Sequence, residues 1–127
     1  MNREILFRGK RKQDGMWCHG DLVRLKDGDT QMPCIYGFGE VYPESIGQFT
    51  GVYDKNGDEI YEGDILEFAD AEIPEEERAQ VIYIDSEGCF KLKNPRYDYM
   101  DDLNSLTARM EVIVGNTYDG IYRRDEQ

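Results

Sequence analysis

The sequence predicts a mainly β protein, an all-β barrel of many short strands with one small helix. Three observations carry that prediction. Apolar runs of strand length recur along the chain and are separated by Gly-rich turns. Asn56-Gly57 and Asp27-Gly28 each sit between two such runs, where Asn-Gly and Asp-Gly are strong hairpin signals. Finally, a Gly-Asp step launches an apolar stretch twice, as Gly20-Asp21-Leu22-Val23-Arg24-Leu25 and as Gly63-Asp64-Ile65-Leu66-Glu67-Phe68. Glycine permits the bend, and the aspartate can bond its own backbone two residues on.

Taken in order, Arg3 to Arg8 is the first strand candidate, with Ile5 and Phe7 alternating to one face. Gly9 to Gly15 reads as a polar turn. Met16 to His19 and Leu22 to Leu25 form a second β stretch, interrupted at Gly20-Asp21, and Trp17, the one tryptophan, is expected in the core. Cys34 to Phe38 and Val41-Tyr42 are short β candidates broken by Gly37, Gly39 and Pro43. The least ambiguous stretch is Gln48 to Phe68, in which Val52-Tyr53 and Ile60-Tyr61 flank Asp54-Lys55-Asn56-Gly57, expected as a type I′ turn. Ala69 to Arg78 holds five acids and a proline and reads as an exposed loop. Ala79 to Asp85, Cys89 to Leu92 and Met110 to Val114 are strands. Between them, Asp98 is expected to cap a short helix through Leu106, with Tyr99, Met100, Leu103 and Leu106 at helical spacings. Tyr118 to Gln127 is a polar tail with one further strand pair at Ile121-Tyr122.

Composition narrows the function classes. In 127 residues, 39% are hydrophobic and 12% aromatic, with nine Tyr, too aromatic for a disordered chain. No apolar run reaches the roughly 18 to 20 residues of a membrane span. Met1 to Lys12 is charged and has no apolar signal core, so cytoplasmic residence is expected. The net charge is −12, but residues 1 to 26 carry seven Lys/Arg against three acids. A phosphate backbone is repelled by most of such a chain, so nucleic acid is an unfavoured partner. The basic cluster Arg8, Lys10, Arg11 and Lys12, with Trp17, forms the candidate interaction set.

No metal or cofactor is expected. Read as an EF-hand loop from Asp54, the sequence places Glu59 where glycine is required and Ile65 where the bidentate acid belongs. Cys18, Cys34 and Cys89 are widely separated and form no Cys-x-x-Cys pair, and the one histidine, His19, adjoins Cys18. Phosphate-loop, dinucleotide-binding and metallohydrolase signatures are missing. One histidine leaves little for acid–base work, so no catalytic residue is assigned and the protein is expected not to be an enzyme.

REILFRGKRK near the start, GDLV after Trp17, TGVYDKNGDEIYEGDIL in the middle and EVIVGNTYD near the end resemble the YopX family of phage and prophage proteins. The resemblance runs from Arg3 to about Asp119. It implies an N-terminal β-hairpin region over residues 1–50 feeding an SH3-like small barrel over residues 51–127, in a bacterial or phage-infected host. It implies no activity. Asn56, Gly57, Tyr61, Gly63 and Asp64 are its fold signature. Two function classes follow. One is a non-enzymatic protein-interaction module, self-associating as a homo-oligomer. The other is a nucleic-acid-related accessory factor, either a weak binder through the basic N-terminus or an acidic decoy of a basic partner. A carboxylate-based hydrolase using a pair such as Asp101-Asp102 is the weaker third.

Overall fold

The computed structural model describes residues 5–96 and 100–122. Among the described residues it is mainly β, with thirteen strands in antiparallel sheets and one short α-helix. The chain divides into two compact units, residues 1–49 and 50–127.

In the first unit, β1 (Phe7–Lys10) pairs with β2 (Trp17–Gly20), and Phe7 and Arg8 pair with the start of β6 (Gly47–Tyr53). β3 (Leu22–Asp27), β4 (Thr30–Ile35) and β5 (Gly39–Glu40) form a second sheet. The β3–β4 hairpin turns through Gly28 and Asp29, with Gly28 at φ 64° in the first central position. Alternation along the strands sends Phe7 and Cys18 inward, where Phe7, Leu22 and Ile46 pack on buried Cys18, Ile35 and Val41. Gly9 faces the same core, and a Cβ there would lie within 2.9–3.0 Å of three Val41 side-chain atoms. Residue 9 is therefore small because the sheet approaches Val41 closely.

The second unit continues along β6 into β7 (Glu59–Tyr61), where the Thr50 hydroxyl donates to the Ile60 carbonyl at 2.8 Å. A six-stranded sheet follows, in the order β11-β10-β9-β8-β12-β13, from β8 (Asp64–Phe68), β9 (Ala79–Ile84), β10 (Cys89–Lys93), β11 (Met100–Asp102), β12 (Glu111–Asn116) and β13 (Gly120–Ile121). Helix α1 (Ser105–Ala108) precedes β12. The core joins Ile60, Leu66, Ala79, Val81, Leu92, Ala108 and Ile113, with Val52, Phe90 and Leu103 against it. Among the described residues, no helix is long and apolar enough to cross a membrane.

Several expectations need correction. The first strand runs from Phe7 to Lys10, so half of the basic cluster lies on a strand and the polar turn is shorter. The third strand pair is Thr30–Ile35 with Gly39–Glu40, each displaced toward the N-terminus. The expected helix start at Asp98, with Tyr99, lies outside the described residues, and the described helix begins at Ser105. Met100 instead pairs with Lys93 as a strand, and Asn104 caps the helix by accepting from the Leu106 and Thr107 amides. The Asn104 amide in turn donates to the Thr107 hydroxyl oxygen, closing a capping box. A capping box fixes a helix start more strongly than apolar spacing does.

Candidate functional site

The central motif folds onto the final one. At the hairpin, Asp54 N–H donates to the Asp58 carbonyl at 2.9 Å and Gly57 N–H to the Asp54 carbonyl at 3.0 Å. Gly57 has φ 84°, and no non-glycine residue described has positive φ. The expected type I′ turn is thus replaced by a three-residue loop, with glycine in the left-handed position. That geometry spares Asn56 a left-handed backbone.

Asp54 decides the rest. It is 5% exposed, and its Oδ1 accepts from the Asn56 and Asp58 amides, both at 2.9 Å. Its Oδ2 accepts from the Ile113 amide at 3.1 Å, across 59 residues of sequence. Beside it, Lys55 N–H donates to the Glu111 carbonyl at 2.8 Å. The carboxylate that would have opened a calcium loop is occupied by backbone amides.

The Glu62-Gly63-Asp64 step repeats the pattern. Gly63 has φ 94°; its amide donates to Val81 O at 2.9 Å and its carbonyl accepts from Thr117 N at 2.8 Å. Asp64, 1% exposed, accepts the Tyr61 amide at 2.7 Å through Oδ2. Asp64 lies opposite Asn116, whose Oδ1 accepts from the Tyr118 and Asp119 amides at 3.0 and 2.7 Å. Two motifs far apart in sequence thus meet through buried polar side chains that accept backbone amides, and the Asn116 Nδ2 also donates to the Asp119 carboxylate at 3.4 Å.

The basic set gathers differently. Direct pairing of Lys10 with Trp17 and of Arg8 with His19 puts all four on one face of β1 and β2. The Arg8 guanidinium carbon lies 4.8 Å from the Trp17 ring centre and the Lys10 ammonium 5.5 Å from it. Trp17 is half-buried beneath these cations and is not a core residue; the core position on β2 belongs to Cys18. Arg11 and Lys12 turn to their own surroundings. Arg11 donates to Gln13 at 2.6 Å and pairs with Asp14 at 3.3 Å. Lys12 pairs with Glu40 at 2.8 Å, which raises its pKa, and lies 5.7 Å from the Tyr42 ring.

Cys18 and Cys34 are buried, and burial pushes the Cys18 thiol up. Asp101 and Asp102 stand exposed on β11, with Asp102 3.4 Å from Lys91.

The carboxyl that sequence reading missed is Glu111. Burial, and then the charges of Glu77, Asp101 and Glu67, push it up from 4.5 to about 7. Its Oε2 is buried without a hydrogen-bond partner among the described residues. Nothing in Met110 to Val114 signals this, because its burial and the acids beside it are set by the turn Pro74–Glu77 and by β8 and β11, far along the chain.

The YopX protein family matches residues 6–120, some nine-tenths of the chain. The chain belongs to the YopX family. Among solved structures it is similar to protein EF1440 from Enterococcus faecalis, with 21% sequence identity and a TM-score of 0.54. That likeness covers 91% of this chain and 94% of the other, and it supports the fold. No curated protein matches this chain.

Proposed function

We propose that this YopX-family protein is a non-enzymatic interaction module, and that its basic aromatic face takes an acidic protein surface, first of all that of a second copy. The observation that carries this is the stacking of Arg8 and Lys10 over Trp17 on one strand face. A cation held over an aromatic ring is a recognition element that keeps its charge while offering apolar area. Complementary acids are abundant: residues 50–127 hold twenty Asp/Glu against eight Lys/Arg, including Glu75, Glu76 and Glu77 within the turn Pro74–Glu77, which has no buried residue. Opposite patches on one molecule favour head-to-tail contacts, which close into rings when the rotation allows. Ile5, 57% exposed, and Trp17 supply apolar area, whereas Phe7 is spent on the core.

The same arrangement argues against the nucleic-acid reading. The cations cover ring surface on which a base would stack. The β8-β9-β10 meander with β12 against β8 supports taking residues 51–127 as an SH3-like small barrel, and membership of the YopX family supports reading the protein as one of phage or prophage type that works in the cytoplasm.

Light scattering after size exclusion, at about 0.15 and 1 M salt, spans screening lengths of roughly 8 to 3 Å. An oligomer at the lower salt that Arg8→Glu with Lys10→Glu dissociates is the expected result. A monomer mass for the native chain at both salts, at tens of micromolar protein, would overturn self-association. Steep salt-dependent binding to a labelled duplex would favour the nucleic-acid reading instead.

A further inference from the structure

We infer that the six-stranded sheet carries a binding site for a small amphipathic carboxylate, in a groove running between Lys93 and Ile121. The strand register builds it. Lys93 lies opposite Gln80, Gln80 opposite Ile65, Ile65 opposite Gly115 and Gly115 opposite Ile121. Directly opposed residues share a face, so these five form one row across β10, β9, β8, β12 and β13. Gly115 adds no side chain to the row, and a Cβ there would collide with the Gly120 carbonyl oxygen. A cavity of about 330 Å³ opens here, lined by Ile65, Arg78, Gln80, Lys93, Pro95 and Ile121. That volume is at the small end of the range for ligand sites.

The chemistry of the lining selects the ligand. Ile65, Pro95 and Ile121 give an apolar floor, and Gln80 contributes an amide able to donate. Both charged groups in the lining are cations, and no carboxylate lines the cavity among the described residues. The Arg78 Nε is committed to Glu67 at 2.7 Å, and the other cation of the lining, Lys93, makes no ion pair among the described residues. In a unit with so many acids, a groove whose described lining holds two cations and no carboxylate is complementary to one negative charge. From Lys93 across Gln80 to Ile65 is two strand spacings, about 10 Å. A short acyl or aryl carboxylate fits that distance, with its head at Lys93 and its body over Ile65. The apolar part supplies burial, and the charge-assisted bond to Lys93 sets orientation and sign.

The test uses the full chain and octanoate as probe, followed by two-dimensional amide NMR. Octanoate is expected to saturate, with shifts centred on Ile65, Gln80, Lys93 and Ile121, while octylamine leaves them in place. Lys93→Ala changes an exposed side chain and is expected to weaken octanoate about tenfold without altering the thermal midpoint. Ile121→Ala, at an exposed strand end, is expected to weaken it by a smaller factor. Equal binding of octanoate and octylamine, shifts centred elsewhere, or undiminished affinity in Lys93→Ala would each overturn the assignment. Loss of octanoate binding in Lys93→Ala leaves the oligomeric state unaffected, which separates this site from the face on β1 and β2.

Discussion

The two units solve the same problem, a small β core, by different means. Residues 1–49 hold seven Lys/Arg and seven Asp/Glu, and residues 50–127 hold eight against twenty. The neutral unit packs thiols, aliphatics and a bare glycine, with Gly9 under Val41 and the Cys18 thiol 3.4 Å from the Gly9 carbonyl. The acidic unit buries two carboxylates, Asp54 and Asp64, and satisfies them with backbone amides. The difference teaches where each unit is vulnerable. One depends on close approach between backbone and side chain, the other on polar locks that tie distant strands together.

Breaking a lock should have the largest effect. Asp54→Ala leaves the amides of Asn56, Asp58 and Ile113 without their acceptor, and two of these bonds hold the turn while the third holds β12. Buried donors stranded in this way cost more than the net value of the bonds, so a loss of about 3 to 5 kcal/mol is expected. Urea denaturation measures it, and Asp54→Asn should fall between the two. A midpoint within error of the native chain would mean that the turn does not depend on its carboxylate.

Next come the two glycines. Gly63 at φ 94° donates to Val81 on β9 and accepts from Thr117 just beyond β12, so Gly63→Val combines a left-handed β-branched residue with disturbed backbone bonds. About 1 to 3 kcal/mol is expected. Gly9→Ala should cost a similar amount in the other unit, through overpacking against Val41. Thermal melts check both, and tolerance of Gly9→Ala alone would show that the neutral unit relaxes where the acidic one cannot.

The fold class was legible because strands and turns are written locally. Period-two alternation and Gly-containing turns are properties of short windows, and the strands predicted over Ala79 to Asp85 and Cys89 to Leu92 lie within a residue or so of β9 and β10. What was not legible depends on partners far along the chain. Met100 has helical spacing to Leu103 but is a strand residue because Lys93 pairs with it. Trp17 looked like core because large aromatics usually are, yet Arg8 and Lys10 cover it. The basic cluster was visible as composition, but its division into a stacked pair and a self-paired pair was not. Glu111 carries no local sign of its surroundings at all.

Glu111 gives the one expected stabilisation. Its carboxyl ionises near 4.5 in an ordinary setting and is held protonated to about 7 in the fold. Between those values the folded chain binds more protons than the unfolded one, so stability falls as pH rises through the window. Above about 7 the full penalty of the ionised, half-buried carboxylate is present. Glu111→Gln should remove it, raising stability at pH 8 by about 1 to 2 kcal/mol after allowing for solvent screening of a part-exposed group. At pH 4 the two chains should melt together. Equal midpoints at pH 8 would mean that Glu111 ionises normally, and that neither its burial nor the charges of Glu77, Asp101 and Glu67 act on it.

The smallest effect belongs to the neutral unit's surface and completes the contrast. If Arg8 and Lys10 over Trp17 are there for recognition, they should contribute little to folding. The contact is on the strand face opposite the core, Trp17 is half-buried, and a cation over a ring at a partly exposed site is worth about 0.5 to 1 kcal/mol. Truncating Trp17 alone confuses that contact with lost packing. A double-mutant cycle with Arg8→Gln and Trp17→Leu isolates it, because each single change removes the stacking and retains most of the apolar volume. A coupling energy of about 0.5 kcal/mol, alongside loss of the oligomer in both single variants, is the expected pair of results. A coupling of about 3 kcal/mol with the assembly intact would mean the reverse: that this face is a polar lock like Asp54, and that the two units are stabilised in the same way after all.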